Sequence, residues 1–195
     1  MDESPPDYRE RNIGIVKEML PEGIRLVHGT YDLEIPTPRV VPTYPRWKGE
    51  ICAAVMSFDQ RRDGGYIFVD AEHPYRRLLL ERLALHELGH AAVGSYQRNN
   101  MRAWELGNML DEGIAEHFMI DLLRAYATTH DAPLYLREAR LMTLFKHVRN
   151  LLPIRSRYTR GYFHVLGLRR RHTIHDIVTN VPAFQQNVYQ YVPTP

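Results

Sequence analysis

Two histidines and a glutamate stand close together in the run His86-Glu87-Leu88-Gly89-His90. On a helix, residues four apart share a face, so His86 and His90 can point two imidazoles at one zinc ion. Glu87 sits one step around the helix from His86. Its carboxylate can overhang the metal's open position without ligating it, which is where a general base for a bound water belongs. A catalytic zinc also needs a third protein ligand. The run Asp111-Glu112-Gly113-Ile114-Ala115-Glu116-His117 begins 21 positions after His90 and offers two carboxylates four apart, Glu112 and Glu116. One can bind the metal while the other accepts a hydrogen bond from a ligand histidine and fixes its tautomer. His117 lies about 100° around the helix from Glu116 and reads as an interfacial histidine, and Asp111 as a charge at a helix N-terminus.

These elements must be held by a fold whose pattern changes midway. A short amphipathic helix is expected from Tyr8 to Leu20, ended by Pro21. Ile24–Val27 and Tyr31–Ile35 read as strands separated by a turn at His28-Gly29-Thr30. The segment 36–49, with Pro36, Pro38, Pro42 and Pro45, reads as an extended loop. Ile51–Phe58 and Tyr66–Val69 are further strand candidates, joined by a hairpin turn at Asp63-Gly64-Gly65. From Pro74 the period becomes helical, with Leu79, Leu83, His86, His90 and Val93 on one stripe to about Tyr96. Gly89, Ala91 and Ala92 leave room beside the histidines for another element to approach. Further helices are expected over 109–128, from the Asp131-Ala132-Pro133 start to about Asn150, and over 158–170. The fold class expected is α+β: a small N-terminal antiparallel or mixed sheet, then a helical half, with the active-site helix between them. A single domain over residues 1–180 would precede a loosely ordered tail, 181–195.

The two clusters together resemble the gluzincin metallopeptidases, the group of thermolysin and the aminopeptidase-N-like enzymes. Their pattern is HExxH followed by a glutamate ligand within an Asn/Asp-Glu-Gly-x-Ala run, and the likeness covers residues 66–125. It implies a zinc peptidase in which His86, His90 and Glu112 bind the metal, Glu116 orients a ligand histidine and Glu87 is the general base. Aminopeptidase-N-like members carry a Tyr-x-x-Gly run whose tyrosine hydrogen-bonds the oxyanion. Tyr158-Thr159-Arg160-Gly161 matches it, with Tyr162 one turn later as the fallback. By the same resemblance a sheet edge at Gly65–Asp70 or Ile51–Phe58 would align the substrate. The exopeptidase run Gly-x-Met-Glu-Asn is absent from residues 50–75, which favours an endopeptidase acting on peptides or proteins.

Composition bounds the alternatives. The chain has 195 residues, is 44% hydrophobic and carries a formal charge of +2. No stretch approaches the roughly 20 apolar residues of a membrane span. The N-terminus lacks a signal-peptide pattern and Cys52 is the sole cysteine, so a cytoplasmic protein without internal disulfides is expected. Charge is uneven. Residues 137–195 hold 10 Lys/Arg against 2 Asp/Glu, whereas residues 1–136 hold 15 against 21. That asymmetry reads first as solvated arginines on C-terminal helices. A nucleic-acid-associated protease using Arg169, Arg170 and Arg171 is one alternative. A catalytically idle, zinc-stabilised binding or regulatory protein of the same fold is another.

Overall fold

A computed structural model describes residues 8–43, 54–57, 65–70, 73–97, 109–151 and 157–184. The architecture is mostly helical with a small sheet near the N-terminal half, α+β in kind. Helix α1 (Tyr8–Tyr31) is followed by strands β1 (Arg39–Thr43), β2 (Ala54–Ser57) and β3 (Tyr66–Asp70). Helices α2 (Arg77–Gln97), α3 (Met109–Thr129), α4 (Pro133–Asn150), α5 (Arg157–Leu168) and α6 (Ile174–Thr179) complete it. No helix of the described residues is long and apolar enough to cross a membrane.

Helix α1 overturns the expectation of a stop at Pro21 and two strands beyond it. The helix continues ten residues past the proline. Proline inside a helix costs about 3 kcal/mol through its missing N–H and ring clash. Against that cost, Gly23, Leu26, Val27 and Tyr31 extend the stripe of Ile15, Val16, Met19 and Leu20 and are buried with it. Each large side chain so buried stabilises by roughly 1.5–3 kcal/mol, so packing wins over local propensity. Asp32, at φ 54°, takes the left-handed conformation that ends the helix, its N–H donating to the His28 carbonyl.

The sheet is mixed, in the order β1-β3-β2. Strand β1 runs parallel to β3 and β2 antiparallel to it. Strand β1 lies within the segment that the prolines mark as loop. Its Pro42 faces Val69 in register, and a position on an outer strand tolerates a residue with no N–H to donate. β2 and β3 pair as the hairpin reading requires; the turn at 63–64, like Cys52, lies outside the described residues. Because β3 is central, it has no free edge for a substrate, contrary to the expectation for Gly65–Asp70. Among the described strands the outer positions belong to β1 and to β2, and β2 packs against α2.

Strand β3 leads into α2 through a buried polar knot. Tyr75 Oη donates to Asp70 Oδ2 at 2.6 Å, and Asn12 Nδ2 donates to the carbonyls of Asp70 and His73 at 2.9 and 2.8 Å. This ties α1 to the start of α2. Helix α2 is enclosed on most sides, its buried side reaching from Leu80 through Ala84, Leu85 and Leu88 to Ala92.

Two helix crossings have almost no space between backbones. A Cβ on Gly89 would lie 2.5 Å from the Ala115 Cα, so α2 and α3 touch there. A Cβ on Gly113 would lie 2.3 Å from the Gly161 carbonyl oxygen, so α3 and α5 touch as well. Backbone cannot swing aside as a side chain can. Gly113→Ala is therefore expected to cost at least about 2 kcal/mol in urea denaturation. Gly14→Ala, where a Cβ meets nothing within 4 Å, should instead stabilise α1 by about 0.5–1 kcal/mol.

Helix α4 begins at Pro133 with Ala132, and not Asp131, as its cap residue, and Asp131 adopts φ 48°. It is fixed to α2 by Tyr135, whose hydroxyl donates to Glu81 Oε2 at 2.7 Å. Its buried residues are Ala139 and Lys146. Leu134, Leu141, Leu144, Phe145 and Val148 are exposed. The expected loose tail starts differently: Val181 is fully buried and Phe184 packs on the core, while 185–195 lie outside the described residues.

Candidate metal centre

The Gly89–Ala115 crossing brings the two sequence clusters face to face. His86 Nε2 and His90 Nε2 lie 3.2 Å apart, with Glu112 Oε2 3.6 Å from the first and 3.7 Å from the second. His86 and Glu112 are buried, and His90 keeps a partly exposed edge. This His-His-Glu group can hold a metal ion. A circle through the three atoms has a radius of about 2.0 Å, close to the bond a first-row metal makes to imidazole or carboxylate. The spacing of the donor set is therefore that of three groups around one ion.

Behind the three stand carboxylates with different partners. His90 Nδ1 is 2.9 Å from Asp111 Oδ1, an ion-pair contact on the side of the ring away from the cluster, so Nε2 is turned toward His86 and Glu112. His86 Nδ1 is 4.0 Å from Glu116 Oε1. The second oxygen of Glu116 is held at 2.6 Å by Lys146 Nζ. Asp111, expected to be a charge at the helix N-terminus, is thus also the partner of His90. Spacing could have suggested it, since Asp111 directly precedes Glu112 and α3 runs alongside α2. Lys146 has no such signal: it comes from a different helix, 34 residues after Glu112.

Negative charge dominates the cluster. Burial by itself would depress the pKa of His90. The charges of Asp111, Glu87 and Glu112 outweigh burial and hold it at about 10. A proton on His90 thus partly answers the charge that a metal cation would neutralise. Glu87 is itself buried beside the histidines, at 4% exposure.

Of the two tyrosines, Tyr158 is the one brought to the cluster. Its ring lies 6.3 Å from that of His86, and it keeps 37% exposure. The Gly113–Gly161 crossing explains the placement, because Gly161 lies one helical turn after Tyr158. Tyr162 is committed elsewhere: buried, its ring stacked on His117 at 4.4 Å and 9°. It packs in the α3–α5 interface.

His117 is likewise structural. Its Nε2 donates to the Tyr162 carbonyl at 3.0 Å, and Nδ1 receives Arg169 Nη1 at 3.0 Å. Burial is the main cause that lowers its pKa to about 4, so it is neutral in the fold. An unfolded histidine titrates near 6.5, so the unfolded chain binds the extra proton between those values. Stability from this group is complete above 6.5 and declines as pH falls toward 4. From pH 7 to 5 the native protein should lose about 2 kcal/mol more than His117→Gln, measured by urea denaturation at each pH. Arg169 also donates to Asp121 Oδ2 at 2.6 Å, so one of the three arginines of the basic run is engaged inside the fold.

No protein-family profile, curated protein or solved structure matches this chain.

Proposed function

We propose that the chain is a zinc-dependent peptidase, acting as an endopeptidase on extended peptide or protein segments. The observation that carries this reading is the buried triangle of His86 Nε2, His90 Nε2 and Glu112 Oε2, whose centre lies about 2.0 Å from each atom. Two imidazoles and one carboxylate are the ligand set of several zinc hydrolases. When bound there, zinc would lower the pKa of a water in its open position and polarise a carbonyl.

The protein's own groups supply the rest. Glu87 is buried and close enough for its charge to act on His90. Its carboxylate takes the proton of the attacking water and returns it to the leaving amine. Tyr158, beside His86 and still accessible, donates its hydroxyl hydrogen bond to the carbonyl oxygen as negative charge develops. Asp111, paired with His90 Nδ1, holds the ring with Nε2 toward His86 and Glu112. The outer strand β2, packed on α2, can pair with an extended substrate through backbone hydrogen bonds.

The test is cleavage of a mixed library of unblocked and end-blocked peptides by the zinc-loaded protein. Internal cleavage that a chelator abolishes and added zinc restores is expected. Absence of cleavage across the library, with zinc bound, would leave an idle binding protein as the reading instead.

A further inference from the structure

The two ligand histidines have unequal support. Asp111 lies at hydrogen-bond distance from His90 Nδ1, 2.9 Å. Glu116 is the matching carboxylate for His86, yet it stands off at 4.0 Å. The difference lies with Lys146, whose ammonium takes the other Glu116 oxygen at 2.6 Å.

The burial of this lysine is itself unusual. Lysine is almost never buried unless it is paired. Helix α4 turns Leu134, Leu141, Phe145 and Val148 outward while its lysine is only 8% exposed. Lys146 shares its inward side with Tyr135, Ala139 and Met142, and Glu116 is the carboxylate that makes the lysine's burial tolerable. The same ammonium lies 5.9 Å from the centroid of the Tyr158 ring, which faces His86. Lys146 thus pairs with one and lies over the ring of another of the groups that surround one ligand histidine.

We infer that Lys146 is a positioning residue that competes with His86 for Glu116 and so sets how tightly the site holds its metal. This rests on the zinc reading above and goes beyond it. A carboxylate bonded to Nδ1 makes the imidazole a stronger ligand. By holding Glu116 back, Lys146 keeps His86 a weaker donor. Its positive charge also opposes a nearby cation, so both effects act in one direction. Removing the lysine lets Glu116 close on His86, and the metal is held more tightly.

Zinc affinity is measured by competition with a chromophoric chelator, on the full chain, for wild type, Lys146→Met, Lys146→Arg, Glu116→Gln and the Glu116→Gln/Lys146→Met double variant. Lys146→Met should bind zinc about tenfold more tightly, whereas Glu116→Gln should weaken binding by less than the roughly tenfold lower bound for a bonded partner, because Glu116 stands off from His86. In the Glu116→Gln background, Lys146→Met should add much less, because the carboxylate being contested is gone. Lys146→Arg should resemble wild type. Lys146→Gln, which keeps a polar group on the stem, replaces Lys146→Met if the latter does not fold, with the same expectation. Unchanged or weaker binding in a folded charge-removing variant overturns the inference. An equal gain in both backgrounds also overturns it, since Lys146 would then act only through its charge on the metal. Failure of the wild type to bind zinc is a different result: it defeats the proposed function, and this inference with it.

Discussion

Glu87→Gln should abolish peptide cleavage while leaving bound zinc and the folded state unchanged. The substitution is nearly isosteric, so the packing around the buried side chain is kept. What is lost is the capacity to take a proton, a contribution of about 10²–10⁴-fold for a positioned general base. The comparison needs single-turnover cleavage rates together with metal content and thermal midpoint. A variant that cleaves at the wild-type rate would remove Glu87 from the mechanism. One that loses zinc would make Glu87 a support of the metal site. If the wild type binds zinc but cleaves nothing, the chain keeps the site as a structural or regulatory device.

The parts of this site that could be read from the sequence are those set by helical spacing. His86 and His90 are four apart, as are Glu112 and Glu116, and α2 and α3 form over nearly the expected ranges. Gly89 also spoke for a close neighbour, and Ala115 is that neighbour. The readings that failed depended on tertiary contacts. Pro21 looked like a stop because local propensity cannot register the burial of Leu26 and Val27 against the rest of the core. β1 was hidden by Pro42, whose tolerance depends on which strand lies beside it. Tyr158 was the matching position and Tyr162 the fallback by resemblance; where each ring lies depends on the Gly113–Gly161 crossing, which spacing does not show. Lys146 was missed for a similar reason. Its one visible signal was a lysine on the side of α4 opposite Leu134, Leu141, Phe145 and Val148, which has meaning only once that apolar side is known to face outward.

Removal of a ligand should have the second large effect. Glu112 Oε2 is one of three atoms that converge on the site, and Glu112→Ala leaves two imidazoles with no protein carboxylate between them. Zinc retention through dialysis should then be lost, and cleavage with it. Glu116 does not belong to the converging triangle, and its Oε1 lies 4.0 Å from His86 Nδ1. Glu116→Ala should therefore retain zinc, with an affinity loss below the roughly tenfold that a bonded partner contributes at the least. A misfolded variant would mimic ligand loss, so circular dichroism and the denaturation midpoint accompany each protein. Glu112→Gln, which keeps the volume of the side chain, separates loss of charge from creation of a cavity.

Metal analysis of wild type, Glu112→Ala and Glu116→Ala, dialysed together against the same metal-free buffer, tests the centre most directly. The expected result is about one zinc per chain in wild type, little or none in Glu112→Ala, and retained zinc in Glu116→Ala. A wild type without stoichiometric metal, or zinc lost from Glu116→Ala but kept in Glu112→Ala, would contradict the assignment of His86, His90 and Glu112 as the metal ligands.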